Sequence, residues 1–198
     1  LNILFNLHQR FTKAGIKDYN YFVADVSKPG FEFPELGYKG LYTKDPVTNF
    51  DIIVCDVPCT GSGTWSRTPE NLYYFKTAAI NEFAARQQQI VCNAAASLKN
   101  GGLLFYITCS VFKKENEDVA QFIKEKFHLQ LLHMELLNGY DKKADSMFVA
   151  VFTKSVSNGF SIRLTASSLS LIFTVTKYIP ALNFSWAQYK FVRLPPAG

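Results

Sequence analysis

The stretch that most constrains this chain is residues 51–63, DIIVCDVPCTGSG, where a short β-branched apolar run ends in an acid and passes directly into a turn rich in Pro, Cys and Gly. A run of Ile and Val bounded by turn residues predicts a buried strand of a parallel sheet. In open α/β sheets, ligands bind beside the loops at the carboxyl ends of the strands. Asp56 and Cys59 are therefore candidates for a functional site.

A second thiol follows the next apolar run in the same way. Residues 103–107 read as another buried strand, and Cys109 comes two residues after them in the segment FYITCS. Because the strand ends of a parallel sheet are also where its ligands bind, two thiols and an acid at neighbouring strand ends form one candidate constellation.

The remaining pattern is that of an α/β domain. Apolar spacing predicts helices over residues 1–14, 71–98 and 115–127, and strands over 19–24, 51–54, 103–107, 129–132 and 147–152. A Pro- and Gly-rich loop is predicted from residue 25 to about 49. The order α-β-β-α-β-α-β-β is typical of a doubly wound α/β domain.

Two regions differ in character along the chain. We place the domain in residues 1–154 and treat residues 155–198 as a C-terminal extension, because no acid follows Asp145 and Ser, Thr, Phe and Leu dominate beyond Lys154. The extension is either a tail with appended strands or a segment that contacts RNA through its basic residues.

Composition narrows the class of partner and compartment. The net charge of +5 and pI near 9.0 favour an anionic partner such as nucleic acid. Four irregularly spaced cysteines fit neither a secreted disulfide framework nor paired zinc knuckles, so we expect reduced thiols, a cytoplasmic protein and no metal. The sequence shows no signal peptide, and it shows no apolar run of about 20 residues that would predict a membrane span. Since the chain opens on Leu1 inside a predicted helix, we expect it to be a piece of a longer protein.

Residues 56–63 resemble the Asp-x-Pro-Cys-Ser/Thr-Gly-x-Gly signature of the RNA cytosine-C5 methyltransferases, the Sun/NOL1/NOP2 or Fmu-like family. Residues 106–110 with the acids of 115–117 resemble that family's Thr-Cys-Ser motif and downstream acidic helix, and residues 141–150 are similar to its closing strand. Residues 1–24 resemble the helix and strand before the third motif, with Asp25 at that motif's acid. The resemblance covers roughly residues 1–154.

The resemblance implies a Rossmann-like S-adenosylmethionine-dependent methyltransferase fold, with a mostly parallel sheet flanked by helices. It also implies transfer of a methyl group from S-adenosylmethionine to carbon 5 of cytosine in rRNA or tRNA. In the family, a glycine-rich cofactor loop and a ribose-binding acid precede the position that Leu1 occupies here. We therefore expect the first strands of the sheet to be missing and the cofactor to bind this chain weakly.

Each matched residue takes a role from the resemblance. Carbon 5 becomes reactive when a thiolate adds to carbon 6, and Cys109 would be that nucleophile, while Cys59 would assist release of the methylated RNA. Asp56 would hold the N3 edge of the cytosine, and with Asp25, which would face the adenine, it is predicted to bind the cofactor. Pro58 would shape the loop over the base and contact the substrate.

Several residues have a plainer interpretation. Cys55 and Cys92 are flanked by apolar residues and read as inert packing thiols. Trp65 and Arg67 would either contact RNA or pack in an exposed loop. Lys113 and Lys114 would either meet a phosphate and assist Cys109 or form a solvated pair at a helix start.

Other functions compete with RNA methylation at carbon 5. A non-catalytic RNA-binding remnant or degenerate paralogue would carry the same motifs. An amino-group methyltransferase is disfavoured because Pro58-Cys59 stands where a second Pro and an aromatic residue are expected. A thiol oxidoreductase is disfavoured because the chain contains no Cys-x-x-Cys.

Overall fold

The structure is a computed structural model that describes residues 2–16, 19–31, 50–155, 170–177 and 186–193. Its helices are α1 (Asn2–Lys13), α2 (Pro69–Tyr74), α3 (Ala78–Ala95) and α4 (Glu117–Phe127). Its strands are β1 (Tyr19–Val23), β2 (Phe50–Asp56), β3 (Leu98–Thr108), β4 (Gln130–Leu137), β5 (Met147–Thr153), β6 (Ser170–Lys177) and β7 (Trp186–Arg193). Short 3-10 turns lie at Ser62–Thr64, Lys113–Glu115 and Tyr140–Lys142.

All seven strands form one sheet in the order β1-β7-β6-β2-β3-β5-β4. β2 pairs in parallel with β3 on one side and with β6 on the other. The four remaining pairings, β3–β5, β5–β4, β6–β7 and β7–β1, are antiparallel. The predicted α/β class is confirmed, but the sheet is mixed rather than mostly parallel. The connections from β4 to β5 and from β6 to β7 are too short for the crossover of a dozen or more residues that parallel neighbours need.

The C-terminal strands belong to the same sheet as the rest of the chain. β6 and β7 lie between β1 and β2, so backbone from the extension beyond residue 155 pairs directly with the strand that ends at Asp56. The predicted loop after residue 25 is described only to residue 31, and its remainder lies outside the described residues.

The boundaries of three predicted elements differ from the structure. The predicted helix over 71–98 is two helices, because Phe75 takes an extended conformation between α2 and α3. β3 begins at Leu98, within the segment predicted to end a helix, because Gly101 at φ 78° lets the strand bend through residues 100–102. The predicted helix over 115–127 starts as a 3-10 turn that ends at Glu115, and α4 follows from Glu117.

The core forms where α3 and α4 cover one face of the central strands. Side chains alternate along β3, where Leu104, Tyr106 and Thr108 are fully buried. α3 packs against β2, β3 and α4, with Ile90 and Val91 among its buried residues. None of the described helices is long and apolar enough to cross a membrane.

The core position of β3 makes a testable prediction about stability. Leu104→Ala removes a side chain that is 0% exposed, and we expect it to lower the free energy of unfolding by about 3 kcal/mol, since it leaves a cavity. Leu137→Ala makes the same change on the edge strand β4, where the side chain is 47% exposed, and should cost less than about 1 kcal/mol. Urea unfolding followed by circular dichroism measures both, and equal losses would contradict the assigned core.

Candidate active site

The two candidate cysteines lie in loops that follow neighbouring parallel strands. β2 ends at Asp56 and β3 ends at Thr108, and the register pairs Asp56 with Ile107. The loops after β2 and β3 therefore leave the sheet at the same edge and at the same level. The structure brings the Sγ atoms of Cys59 and Cys109 to 3.2 Å, which is hydrogen-bond distance for two thiols.

The environments of the two thiols are unequal. Cys59 is buried, with 4% of its surface exposed, whereas Cys109 is half-buried. The hydrogen bond from the Cys59 thiol lowers the pKa of Cys109, while that bond and burial raise the pKa of Cys59 well above its usual value. Cys109 is therefore the thiol that ionises, and the thiolate is the nucleophilic form.

Asp56 lies beside this pair at the end of β2. Burial raises the pKa of Asp56 to about 6, so a fraction of the side chain stays protonated near neutral pH. Its charge also raises the pKa of Cys109, which places the carboxylate within electrostatic reach of that sulfur. A carboxyl group with this pKa can both donate and accept a hydrogen bond close to pH 6.

The glycine-rich turn after Cys59 is shaped by close backbone contacts. The Gly63 N–H donates to the Cys109 carbonyl at 2.8 Å, and the Gly63 carbonyl accepts from Ser146 N–H at 2.9 Å. A Cβ at Gly63 would lie 2.1 Å from the Ser146 carbonyl oxygen, so only glycine fits there. The Pro58 carbonyl accepts from Gln87 Nε2 on α3 at 2.9 Å, which anchors the start of the same turn.

Asp25 lies apart from the thiols, just after β1. Its Oδ1 atom accepts from the Ser27 N–H and hydroxyl, and its side chain is half-buried. Asn93 on α3 holds the adjoining loop by donating to the Lys28 carbonyl at 2.9 Å. Strands β7 and β6 lie between β1 and β2 in the sheet, so the structure does not bring this candidate into the thiol cluster.

A buried carboxylate from the acidic segment 115–117, to which the sequence assigned no role in the site, lies between the two cysteine loops. Glu115 accepts from Thr60 N–H at 2.8 Å, from the Thr60 hydroxyl at 2.7 Å and from the Ser110 hydroxyl at 2.6 Å. Gln87 Nε2 also donates to it at 3.3 Å. An acid at a predicted helix start usually faces solvent, and only its place six residues after Cys109 could have signalled a role.

The residues with two open interpretations are now placed. The Trp65 ring packs against Phe75 and Phe112 at centroid distances of 5.0 and 5.9 Å, which is the packing role. Arg67 Nε donates to both carboxylate oxygens of Asp145 at 2.8 and 2.9 Å. Lys113 and Lys114 are exposed, which fits both of their interpretations. The part of the chain that the structure describes holds no group of three His, Cys, Asp or Glu side chains suited to a metal ion.

Comparison with known proteins gives one family. The family model described as 16S rRNA methyltransferase RsmB/F matches residues 7–162. A ribosomal RNA small subunit methyltransferase F from Psychromonas ingrahamii is 38% identical over 90 residues, covering 44% of this chain and 19% of the relative. One from Escherichia coli is 30% identical over 122 residues, covering 62% of this chain and 23% of the relative. The chain thus spans about a fifth of the length of these curated relatives.

A solved structure supports the fold assignment. The protein titled "Crystal Structure of PH0851" superposes with a TM-score of 0.51 at 28% sequence identity, covering 52% of this chain and 26% of that chain.

The raised pKa of Asp56 predicts a pH-dependent stability. Because its folded pKa of about 6 lies above the ordinary 3.8, the folded state binds the proton more tightly. The contribution of this tighter proton binding to the free energy of unfolding is complete below pH 3.8 and is lost as the pH rises through about 6. The free energy of unfolding of the parent protein should therefore fall by on the order of 2 kcal/mol across this range, and Asp56→Asn should abolish that fall.

Urea unfolding at a series of pH values measures this effect. The control Asp118→Asn removes an exposed acid from α4 and should keep the pH dependence of the parent protein. Parallel curves for the parent and Asp56→Asn would show that Asp56 does not titrate as proposed.

Proposed function

The chain belongs to the 16S rRNA methyltransferase RsmB/F family, and on that premise we propose that it methylates carbon 5 of cytosine in RNA through a covalent bond between Cys109 and carbon 6. The observation that carries this proposal is the pair of thiols 3.2 Å apart at the ends of two parallel strands. Attack at carbon 6 needs one ionised thiol, and the hydrogen bond from Cys59 favours ionisation of Cys109.

The methyl donor of the family is S-adenosylmethionine, which supplies an electrophilic methyl group. Asp25 and Asp56 are the residues of this chain that we propose would hold it. Ser27 donates two hydrogen bonds to Oδ1 of Asp25, so the second oxygen of that carboxylate is the one proposed to accept a hydrogen bond from the adenine amino group. The glycine-rich loop expected for the family is not found in these 198 residues, so we propose that this chain alone binds the cofactor weakly.

Cys109 and Asp56 would act together in the first step. The Cys109 thiolate forms a bond to carbon 6, and the electron pair of the C5–C6 double bond becomes available at carbon 5 to take the methyl group. Asp56 in its protonated form would donate to ring nitrogen N3, which draws electrons towards the ring and stabilises the adduct. Its pKa of about 6 keeps this form populated near neutral pH. Pro58, held by Gln87, would fix the loop over the base.

Cys59 would act in the release step. The largest cause of its raised pKa is the hydrogen bond to Cys109, and that partner loses its negative charge once its sulfur is bonded to carbon 6. Cys59 then gives its proton to solvent more readily and, as a thiolate, would take the proton from carbon 5. The Cys109–C6 bond breaks as that proton leaves, which restores the thiolate of Cys109 and the thiol of Cys59.

The two thiols should therefore give opposite results in a trapping experiment. RNA carrying 5-fluorocytosine is incubated with S-adenosylmethionine and a form of the protein extended ahead of Leu1 by the family's cofactor-binding segment. The fluorine cannot leave as a proton, so the Cys109 adduct should persist and shift the protein on a denaturing gel. Cys109→Ala should lower adduct formation by more than about 10³-fold.

Unmodified RNA tests the release step. Cys59→Ala should accumulate the adduct that the parent protein resolves, because the proton on carbon 5 has no acceptor. Cys92→Ala, which changes a thiol on α3, is the matched control and should behave as the parent protein does. An adduct that survives Cys109→Ala would contradict the assignment of the nucleophile. RNA binding without any adduct or methyl transfer would favour a non-catalytic RNA-binding protein.

A further inference from the structure

Glu115 is fully buried, and the hydrogen bonds to its carboxylate come from both cysteine loops. Thr60, the residue after Cys59, donates to it through both its N–H and its hydroxyl, and Ser110, the residue after Cys109, donates through its hydroxyl. Each loop is thus attached to the same carboxylate one residue beyond its thiol. No salt bridge among the described residues involves Glu115.

A second layer of side chains fixes Glu115 from behind. Gln87 donates to its Oε1 atom and to the Pro58 carbonyl, and the Tyr106 hydroxyl is within hydrogen-bond distance of both Gln87 Oε1 and the Glu115 carbonyl. Burying a carboxylate is costly unless hydrogen bonds compensate it, and here they come from residues on α3 and on the turns after β2 and β3. The carboxylate is therefore held in one place relative to both loops.

We propose that Glu115 is a positioning residue for the reaction, whose buried carboxylate ties the loop of Cys59 to the loop of Cys109 and so sets the separation of the two sulfur atoms. This inference rests on the proposed function, in which both thiols act on one base. Among the described residues, no hydrogen bond joins Glu115 to either sulfur atom, so Glu115 acts through Thr60 and Ser110.

Charge and position have opposite effects on Cys109, which makes them separable. The charged and titratable groups that influence Cys109 electrostatically are Cys59, Asp56 and Glu115, and Arg67 interacts with it from the turn before α2. The hydrogen bond from Cys59 lowers the pKa of Cys109 most strongly, whereas the negative charge of Glu115 raises it. Loss of the charge of Glu115 alone would lower the pKa of Cys109. Loss of the hydrogen bonds that Glu115 accepts from Thr60 and Ser110 would raise that pKa, because it would weaken the hydrogen bond from Cys59.

The test measures how closely the thiols are held in the 198-residue chain. Equilibration with reduced and oxidised glutathione converts the two thiols to a disulfide, consuming one oxidised glutathione and releasing two reduced ones. The equilibrium constant reports the effective concentration of one thiol at the other. Glu115→Gln should lower that constant roughly tenfold, the size expected for losing hydrogen bonds to a charged group. It should also move the pH midpoint of Cys109 alkylation upwards.

Two further variants keep the result interpretable. Ser110→Ala removes the hydrogen bond to Glu115 on the Cys109 side and leaves the charge of Glu115 in place. It should also lower the equilibrium constant for disulfide formation. This variant decides the question if Glu115→Gln does not fold. Asp118→Asn, an exposed acid on α4, is the matched control and should change neither measurement. A constant that Ser110→Ala leaves unchanged, or a midpoint that Glu115→Gln moves downwards, would overturn the proposal.

These measurements need neither RNA nor S-adenosylmethionine, so the two proposals can fail separately. If the variants loosen the thiols but no RNA adduct forms, the tie is real and the proposed reaction is wrong. If the adduct forms normally in Ser110→Ala and the glutathione constant is unchanged, the reaction stands and Glu115 has no positioning role.

Discussion

The parallel pairing of β2 with β3 is the constraint on which the candidate site depends. Residues 52–56 lie opposite 103–107 in uninterrupted register, so the loops after Asp56 and Thr108 leave the sheet side by side. β2 is also paired with β6 on its other edge, which makes it an interior strand. A slip of one residue in either pairing would turn alternate side chains to the opposite face and separate the two thiols.

The close approach of the loops explains the unusual density of small and polar residues around them. Gly63 is in contact with the backbone of Cys109 and Ser146, at a distance that excludes any side chain. Ser62, Ser110 and Glu115 are buried and linked by hydrogen bonds instead of apolar packing. Such a network is costly to bury and tolerates few alternatives, since each group depends on its partners. Hydrogen bonds to Glu115 consequently link the two loops that carry the thiols.

Sequence reasoning reached the fold class and the two thiols because both depend on local patterns. The Ile and Val run of residues 52–54 and the turn after it specify a strand and its end without knowledge of the rest. The acids of 115–117 were noted, but the place of Glu115 between the loops was missed because it depends on Thr60, 55 residues away, and no local pattern encodes that contact. The mixed sheet was missed for a related reason, since the antiparallel pairing of β1 with β7 joins segments more than 160 residues apart. Glycine is common both after helices and in bent strands, so Gly101 alone did not reveal that β3 begins at Leu98.

The surroundings of the two thiols shift the pKa values of two identical side chains in opposite directions. Cys59 is more deeply buried and donates its proton, whereas Cys109 is closer to solvent and accepts it, so the pair favours one arrangement of the charge. The negative charges of Asp56 and Glu115 oppose ionisation of Cys109, and the hydrogen bond from Cys59 is the largest influence on its pKa. The polarity of the pair therefore depends on the 3.2 Å separation. In the proposed reaction, a bond to carbon 6 would remove the charge from Cys109 and with it this influence, so Cys59 would lose its proton more readily. A single short contact would thus allow the proposed reaction to use the two thiols in sequence.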